Sequence, residues 1–272
     1  MNRDRLFSSA IMIMVTLFAV LNQWIFLVVL LSLTVGGLYE FFYLIKKKGI
    51  PIYSYTGIII GVLIPLSIFF QFEPTKKWEL LFIVLVLLLI FLLQMIRKDS
   101  NNAIVGISTT LFGVLYVSWF FSYLIKIRYL LPGVAGVKLL GFILIVTKCG
   151  DMGALFIGSK FGKHPLLPRV SPNKTLEGSA GSFLFSALSA FFARCLLPAE
   201  LGFTIGHVVF IGMFFGGLGQ LGDMSESLLK RDCHVKDSGK FLPGLGGTLD
   251  AIDSILFSAP AFYFYMTRFV AS

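Results

Sequence analysis

Long apolar runs separated by short polar loops follow one another through nearly the whole chain. A helix needs roughly 20 mostly apolar residues to cross a bilayer, and its backbone groups must be satisfied within the segment. We therefore predict an all-α fold, a polytopic transmembrane helical bundle. The nine predicted spans cover residues 6–21, 24–45, 54–71, 78–96, 103–125, 137–158, 178–197, 202–228 and 249–268.

The composition agrees with a protein that is solvated by lipid. Hydrophobic residues make up 57% of the chain and charged residues only 14%, whereas a soluble domain is nearer half apolar and a quarter charged. The net charge of +9 resides mostly in short loops, where cations set orientation and meet anionic lipid. We therefore expect no nucleic-acid partner. The three cysteines fit neither a disulfide framework nor a zinc site.

The distribution of cations predicts the orientation. The first apolar run continues into a second one without a cleavage site, which favours an uncleaved first helix over a signal peptide. If the N-terminus is cytoplasmic, 15 of the 23 Lys and Arg residues lie on the cytoplasmic side and 7 on the other side, as the positive-inside rule expects. We predict an integral protein of the cell (inner) membrane, with the loops after the sixth and eighth spans facing the cytoplasm.

Acidic residues are concentrated in the second half of the sequence, where nine of the fourteen lie between residues 151 and 253. Ionisable groups in or near spans are costly and are candidates for function. Asp223 and Glu226 share one face at the end of the eighth span, and Asp250 and Asp253 repeat that spacing at the start of the ninth. Four such carboxylates repel one another unless a cation holds them, and hard oxygen ligands suit Mg²⁺.

Simple ion pairing is the alternative to a metal site. The four acids could instead pair with the neighbouring cations Lys230, Arg231 and Lys236. Lys148 and Asp151, three residues apart in the sixth span, are explained by a neutralising pair, and it stays open whether Asp151 also lines the active cavity. Glu40, in the second span, is expected to cap or to pair near the cytoplasmic end.

A glycine-rich segment, residues 242–248, directly precedes Asp250. Glycines allow close backbone approach, and a helix N-terminus offers free N–H groups and a positive dipole end to an anion. Thr248 is the predicted N-cap. Cations for phosphates precede the segment: Lys230, Arg231, Lys236 and Lys240. Cations beside carboxylates are typical of phosphoryl or nucleotidyl transfer, in which catalysis is positioning plus charge neutralisation.

The second cytoplasmic loop contains Ser171 followed by Pro172. Serine and then proline is typical of an N-cap and first helical residue, so we predict a helix that starts here and could receive a phosphate. A capped helix start without a ligand is the alternative.

The motifs in these loops resemble those of phosphatidate cytidylyltransferases, also called CDP-diacylglycerol synthases. One signature runs through Ser227-Leu228-Leu229-Lys230-Arg231, Lys236-Asp237-Ser238-Gly239 and Leu242-Pro243-Gly244-Leu245-Gly246-Gly247-Thr248-Leu249-Asp250-Ala251-Ile252-Asp253. An earlier one runs through Asp151-Met152-Gly153-Ala154, Gly158, Phe161-Gly162-Lys163 and Ser171-Pro172-Asn173-Lys174-Thr175-Leu176-Glu177-Gly178. Together they cover about residues 140–255.

The resemblance implies an integral membrane enzyme that joins CTP and phosphatidic acid to give CDP-diacylglycerol and pyrophosphate. It implies Mg²⁺ as cofactor, with a second, monovalent cation left open, and a homodimer embedded in the lipid bilayer. The chain then forms one membrane domain, in which residues 1–135 are N-terminal helices and residues 136–272 carry the catalytic helices and cytoplasmic loops.

The resemblance also implies roles for individual residues. The metal ligands are Asp223, Asp250 and Asp253, and the catalytic set adds Lys236 and Asp237. The substrate-binding set is Ser171, Asn173, Lys174, Thr175, Lys230, Arg231, Lys240, Gly246 and Gly247. Leu245 and Ala251 depart from the family, which usually has histidine and arginine at these positions.

Two other functions remain open at this stage. A CTP-dependent lipid-alcohol kinase of the polyprenol or phytol type could use similar phosphate and metal groups. An ion-coupled transporter could use Lys148, Asp151 and the paired acids as a relay, although no inverted repeat is evident.

Overall fold

The structure, a computed structural model, describes residues 14–72, 74–75, 78–97, 101–239 and 246–270. The helices are α1 (described over residues 14–21), α2 (Gln23–Lys47), α3 (Ser54–Phe69), α4 (Trp78–Ile96), α5 (Ala103–Gly113), α6 (Phe120–Tyr129), α7 (Val134–Phe161), α8 (Leu176–Phe192), α9 (Ile205–Asp232) and α10 (Thr248–Val270). A π-helix, Val114–Trp119, joins α5 to α6, and 3₁₀ turns Ala193–Leu196 and Ala199–Leu201 follow α8. The strands β1 (Pro165–Leu167) and β2 (Ser171–Thr175) pair antiparallel between α7 and α8.

The predicted all-α membrane bundle is confirmed, but the count of nine spans is not. Within the described residues, six helices are long and apolar enough to cross a membrane. They are Gln23–Lys47, Trp78–Ile96, Ala103–Tyr129, Val134–Phe161, Leu176–Leu196 and Ile205–Asp232. Helix α3 has only 16 residues, α10 carries two aspartates in its first two turns, and the first predicted span starts outside the described residues.

Helix α10 lies at the centre of the bundle, in contact with α2, α6, α7 and α9. Several of its apolar side chains, among them Leu256, Phe262 and Met266, are completely buried. Helix α4 is at the opposite extreme, because only Val86 and Ile90 are buried along its length. The helix with the most acidic start is therefore enclosed by protein, whereas the most apolar helix faces lipid, as expected when charge is costly in hydrocarbon.

Small residues allow α7, α8 and α9 to pack closely. A Cβ atom on Gly153 of α7 would lie 2.5 Å from the Phe185 Cβ of α8, and one on Gly212 of α9 would lie 2.6 Å from the Ser186 carbonyl oxygen. Membrane helices associate through such small residues, since lipid offers no hydrophobic drive between them. The packing fixes the positions of these three helices relative to one another.

The predicted helix start at Ser171 and Pro172 is wrong, because both residues belong to β2. Helix α8 starts at Leu176, and its N-cap is Thr175, whose Oγ1 accepts the Gly178 N–H at 3.1 Å. Pairing with β1 holds the Ser171–Thr175 backbone in an extended conformation. Thr175 directly precedes the first helical residue, and threonine is a favoured N-cap.

Candidate functional site

Three carboxylates meet where the C-terminal part of α9 packs against the N-terminal part of α10. Asp223 and Glu226 of α9 and Asp253 of α10 each offer an oxygen, and these oxygens lie within 4.8 Å of one another. The spacing of three places the first two on one face of α9. Glu226 is completely buried and Asp253 is 6% exposed, whereas the Asp223 side chain is 40% exposed. The cluster, named the acidic cluster below, therefore opens to its surroundings at Asp223.

Two lysines neutralise part of the acidic cluster. Lys174 Nζ lies 2.6 Å from Asp223 Oδ2, so the β2 strand brings a cation to the exposed edge. Lys230 lies between Glu226, with which it forms an ion pair, and Asp250, whose Oδ1 is 2.5 Å from the ammonium. With three carboxylates in the cluster and Lys230 shared with a fourth, the site keeps an excess of negative charge.

Asp250 lies beside the acidic cluster and not in it. Besides the Lys230 ammonium, its carboxylate accepts the Gly247 N–H at 2.7 Å and the Ser238 hydroxyl at 2.8 Å. The structure thus brings together two of the three predicted metal ligands, Asp223 and Asp253, and adds Glu226. The spacing of Glu226 from Asp223 was the signal for it in the sequence.

The residues of the acidic cluster fit a divalent cation. Both Glu226 carboxylate oxygens are buried and have no hydrogen-bond partner among the described residues; Lys230 is the ionic neighbour. A buried carboxylate whose oxygens accept no hydrogen bond is costly. Three carboxylate oxygens are hard ligands of the kind that Mg²⁺ binds through, with its remaining positions left to water or substrate phosphate.

A polar network connects α7 to α10 behind the acidic cluster. Lys148 Nζ donates to Asp151 at 3.1 Å, so the predicted pair is confirmed. The same ammonium donates to the Ser254 hydroxyl at 2.9 Å and to the carbonyl oxygen of Ala251 at 3.2 Å. The Ser254 hydroxyl donates to Asp151 Oδ2 at 2.8 Å, and the Ser254 backbone N–H donates to Asp253 Oδ1 at 2.6 Å. Ala251 of α10 thus presents its backbone carbonyl to a lysine of α7.

The start of α10 does not offer its N–H groups to a phosphate as predicted. Thr248 is the first helical residue instead of the N-cap, and its N–H donates to Glu40 Oε1 at 2.9 Å. The next N–H, of Leu249, donates to Glu40 Oε2 at 2.9 Å, and the Gly247 N–H is taken by Asp250. Protein carboxylates occupy the positive end of this helix, and the sequence could not show that Glu40, 208 residues away, would be one of them.

The glycine at position 246 is required by the backbone. Its φ of +97° lies in the left-handed region, and a Cβ there would meet Asp250 Oδ2 at 2.9 Å. Gly246 and Gly247 therefore shape the turn into α10 and hold Asp250.

The other predicted site residues are not part of the acidic cluster. Arg231 donates from Nε to the carbonyl of Val170 at 3.3 Å, which connects α9 to the hairpin. Lys236 and Asp237 are exposed, and so is Asn173, whereas Ser171 is partly buried in β2. Lys240 and Leu245 lie outside the described residues.

Tyr116 is a buried polar residue near the site that sequence analysis missed. It lies on the π-helix and packs edge-on against Phe257, one turn beyond Asp253. Its hydroxyl is buried and has no hydrogen-bond partner among the described residues. A π-helical turn often marks a functional site, but an aromatic residue in an apolar run carries no signal of it.

Comparison with known proteins adds a family to this geometry. Residues 3–269 match the sequence profile described as "Cytidylyltransferase family". The phosphatidate cytidylyltransferase of Bacillus subtilis is 34% identical over 239 residues, which cover 86% of each chain. The protein of the same name from Synechocystis is 30% identical over 91% of this chain and 90% of its own length. That of Thermotoga maritima is 36% identical over 70% of this chain and 69% of its own.

Proposed function

Because the chain belongs to the cytidylyltransferase family, we propose that it transfers the cytidylyl group of CTP to phosphatidic acid. The products are CDP-diacylglycerol and pyrophosphate. The acidic cluster at the junction of α9 and α10, with lysines on two sides, carries the proposal. The protein is a nucleotidyltransferase, and its apolar helices make it an integral membrane protein. Relatives named phosphatidate cytidylyltransferase that match most of the chain support the substrates.

The acidic cluster is proposed to hold Mg²⁺ through Asp223, Glu226 and Asp253. Their oxygen chemistry supports this choice, and so does the complete burial of the Glu226 carboxylate beside Asp223 and Asp253. When bound, a divalent cation supplies charge neutralisation for the nucleotide phosphates. Direct ligation by Asp250 and a second, monovalent cation stay predictions.

The lysines are proposed to serve the phosphates. In the structure Lys174 pairs with Asp223 at the exposed edge. Once a metal ion binds Asp223, the Lys174 ammonium can bind a phosphate instead. Lys230 is held between Glu226 and Asp250, so its positive charge lies beside the acidic cluster. Both charges stabilise phosphate oxygens that become more negative in the transition state.

The reaction itself needs no covalent intermediate with the protein. An ionised oxygen of phosphatidic acid attacks the α-phosphorus of CTP in line. The new oxygen–phosphorus bond forms as the bond to the β-phosphate oxygen breaks, and pyrophosphate leaves with that electron pair. No protein nucleophile or base is required, because phosphatidic acid is already an anion. The protein contributes position and charge.

The site is proposed to face the cytoplasm of the cell, with the N-terminus on the same side. The ion pair between Lys48, just after α2, and Asp232, at the end of α9, supports the placement of these two helix ends on one face of the bundle. Excess cations in the same loops support a cytoplasmic orientation in the inner membrane. A homodimer is proposed from the family resemblance, and crosslinking in native membranes tests it.

The proposal is tested by turnover of the purified protein in micelles that contain phosphatidic acid. Labelled CTP should give labelled CDP-lipid and pyrophosphate, and ATP should not. Asp253→Asn should abolish the reaction, while Asp232→Asn, which removes an exposed carboxylate from the same face, should retain it. CDP with a phosphorylated lipid alcohol as product would identify the kinase instead. A folded Asp253→Asn variant with wild-type turnover would refute the assignment.

A further inference from the structure

Glu40 is a buried acid in the half of the chain that carries no recognised motif. Its side chain lies on α2 and the residue is 4% exposed. An ionised carboxylate at that depth persists only if it is well paired. Among the described residues no Lys or Arg forms an ion pair with it; hydrogen bonds from two backbone N–H groups and a hydroxyl satisfy it instead.

Both backbone donors belong to the first turn of α10. The N–H groups of Thr248 and Leu249 each reach one Glu40 oxygen at 2.9 Å. The first N–H groups of a helix lack partners within the helix and form the positive end of its dipole. A carboxylate that takes two of them stabilises the helix start, although here the carboxylate comes from another helix.

Glycines make room for this contact on both sides. A Cβ on Gly36, one turn before Glu40, would lie 2.7 Å from the Thr248 hydroxyl oxygen. A Cβ on Gly247 would lie 2.5 Å from Glu40 Oε2, and Gly239 faces the same carboxylate too closely for any side chain. The carboxylate therefore lies in a closely fitting space between α2, α10 and the segment that follows α9.

The contacts of Glu40 continue through Ser238 and Asp250 to Lys230. The Ser238 hydroxyl lies 3.1 Å from Glu40 Oε2 and 2.8 Å from Asp250 Oδ2. Its single proton serves one carboxylate at a time, so it couples the two acids. Asp250 in turn holds Lys230 at 2.5 Å. A chain of contacts thus runs from α2 to the cation beside the acidic cluster.

We infer that Glu40 is a positioning residue for the nucleotidyl transfer: it anchors the start of α10 and the Ser238–Asp250–Lys230 contacts in the geometry that receives the nucleotide. The inference rests on the proposed function. It also makes phosphate binding at the first turn of α10 unfavourable, since Glu40 takes two of the N–H groups there and brings negative charge to the helix start. The nucleotide phosphates are left to the lysines of the hairpin and of α9.

The test compares Glu40→Gln with Glu79→Gln in the purified full-length protein. A glutamine keeps the shape but turns its amide N–H₂ toward one of two backbone donors. Glu79 is the control because it is an acid of another apolar helix, α4, and pairs with Lys126 away from the site. For each variant we measure kcat, KM for Mg²⁺·CTP, the thermal unfolding midpoint, and amide hydrogen exchange of residues 246–256.

Glu40→Gln should raise KM about tenfold and change kcat less than about threefold, because substrate must then order the site on binding. Exchange at residues 246–256 should accelerate in this variant only. Glu40→Asp, which keeps the charge with a shorter reach, should fall between it and the wild type. Unchanged KM and exchange would overturn the inference, and so would a lower folded fraction with KM unchanged, which indicates a merely structural role. Failure of the wild type to use CTP would refute the proposed function instead, and the exchange measurement would still test the anchor.

Discussion

Replacing Lys230 with methionine tests whether charge balance in the site is as tight as its contacts indicate. The Lys230 side chain is 11% exposed and lies between Glu226, whose side chain is fully buried, and Asp250, whose side chain is 18% exposed. Methionine preserves the apolar stem and removes the ammonium. Two carboxylates then face each other without the cation between them.

The expected loss of stability follows from that burial. Removing one partner of a buried ion pair costs about 3–5 kcal/mol, because it leaves an uncompensated charge. The partial exposure of Asp250 favours the lower figure, about 3 kcal/mol. At 2–4 °C for each kcal/mol in a chain of this size, the thermal midpoint should fall by roughly 6–12 °C without metal.

Thermal unfolding in detergent, with and without Mg²⁺, measures the effect. Saturating Mg²⁺ should stabilise Lys230→Met more than the wild type, since a bound cation replaces the missing charge. Lys48→Met is the matched control: its pair with Asp232 is much more exposed, and exposed pairs contribute about 1 kcal/mol at most. A Lys230→Met midpoint within about 2 °C of the wild type in both conditions would refute the reasoning.

Two further predictions concern the ligands and the turn before α10. Glu226→Gln should raise the Mg²⁺ concentration for half-maximal turnover by about tenfold or more, as loss of groups that hold a metal does, whereas Asp250→Asn should chiefly raise KM for CTP. Titration of activity with metal and with CTP measures both effects. A larger change in Mg²⁺ dependence for Asp250→Asn than for Glu226→Gln would favour Asp250 as the ligand. Gly246→Ala forces a side chain into a left-handed backbone position and against Asp250. It should therefore destabilise the protein by about 1–3 kcal/mol and lower turnover. Gly202→Ala is the control: Gly202 is also left-handed but has open space around its Cβ position, so this variant should lose stability while turnover stays normal.

Features with a local cause could be predicted from the sequence. Apolar length predicted the helical bundle, and the spacing of three between Asp223 and Glu226 placed two acids on one face. The pair of Lys148 and Asp151 follows from the same helical geometry. In each case the information lies within one turn of helix.

Features that depend on distant contacts could not be predicted in the same way. The choice between Glu226 and Asp250 in the acidic cluster depends on where Lys230 and Ser238 lie. The role of Glu40 depends on a helix 208 residues away. The extended state of Ser171 depends on pairing with β1, which outweighs a local sequence that is typical of a helix start.

The ion pair between Lys174 and Asp223 bears on which ions the resting protein admits. A tethered ammonium 2.6 Å from the exposed carboxylate acts as a built-in counter-ion at very high effective concentration. A free monovalent cation that displaced the Lys174 ammonium from Asp223 would leave the lysine without an anionic partner. A dication that arrives with phosphates satisfies both partners at once, because the metal takes the carboxylate and a phosphate takes the lysine. We therefore expect the pair to favour a metal–nucleotide complex over free salt before any chemistry begins.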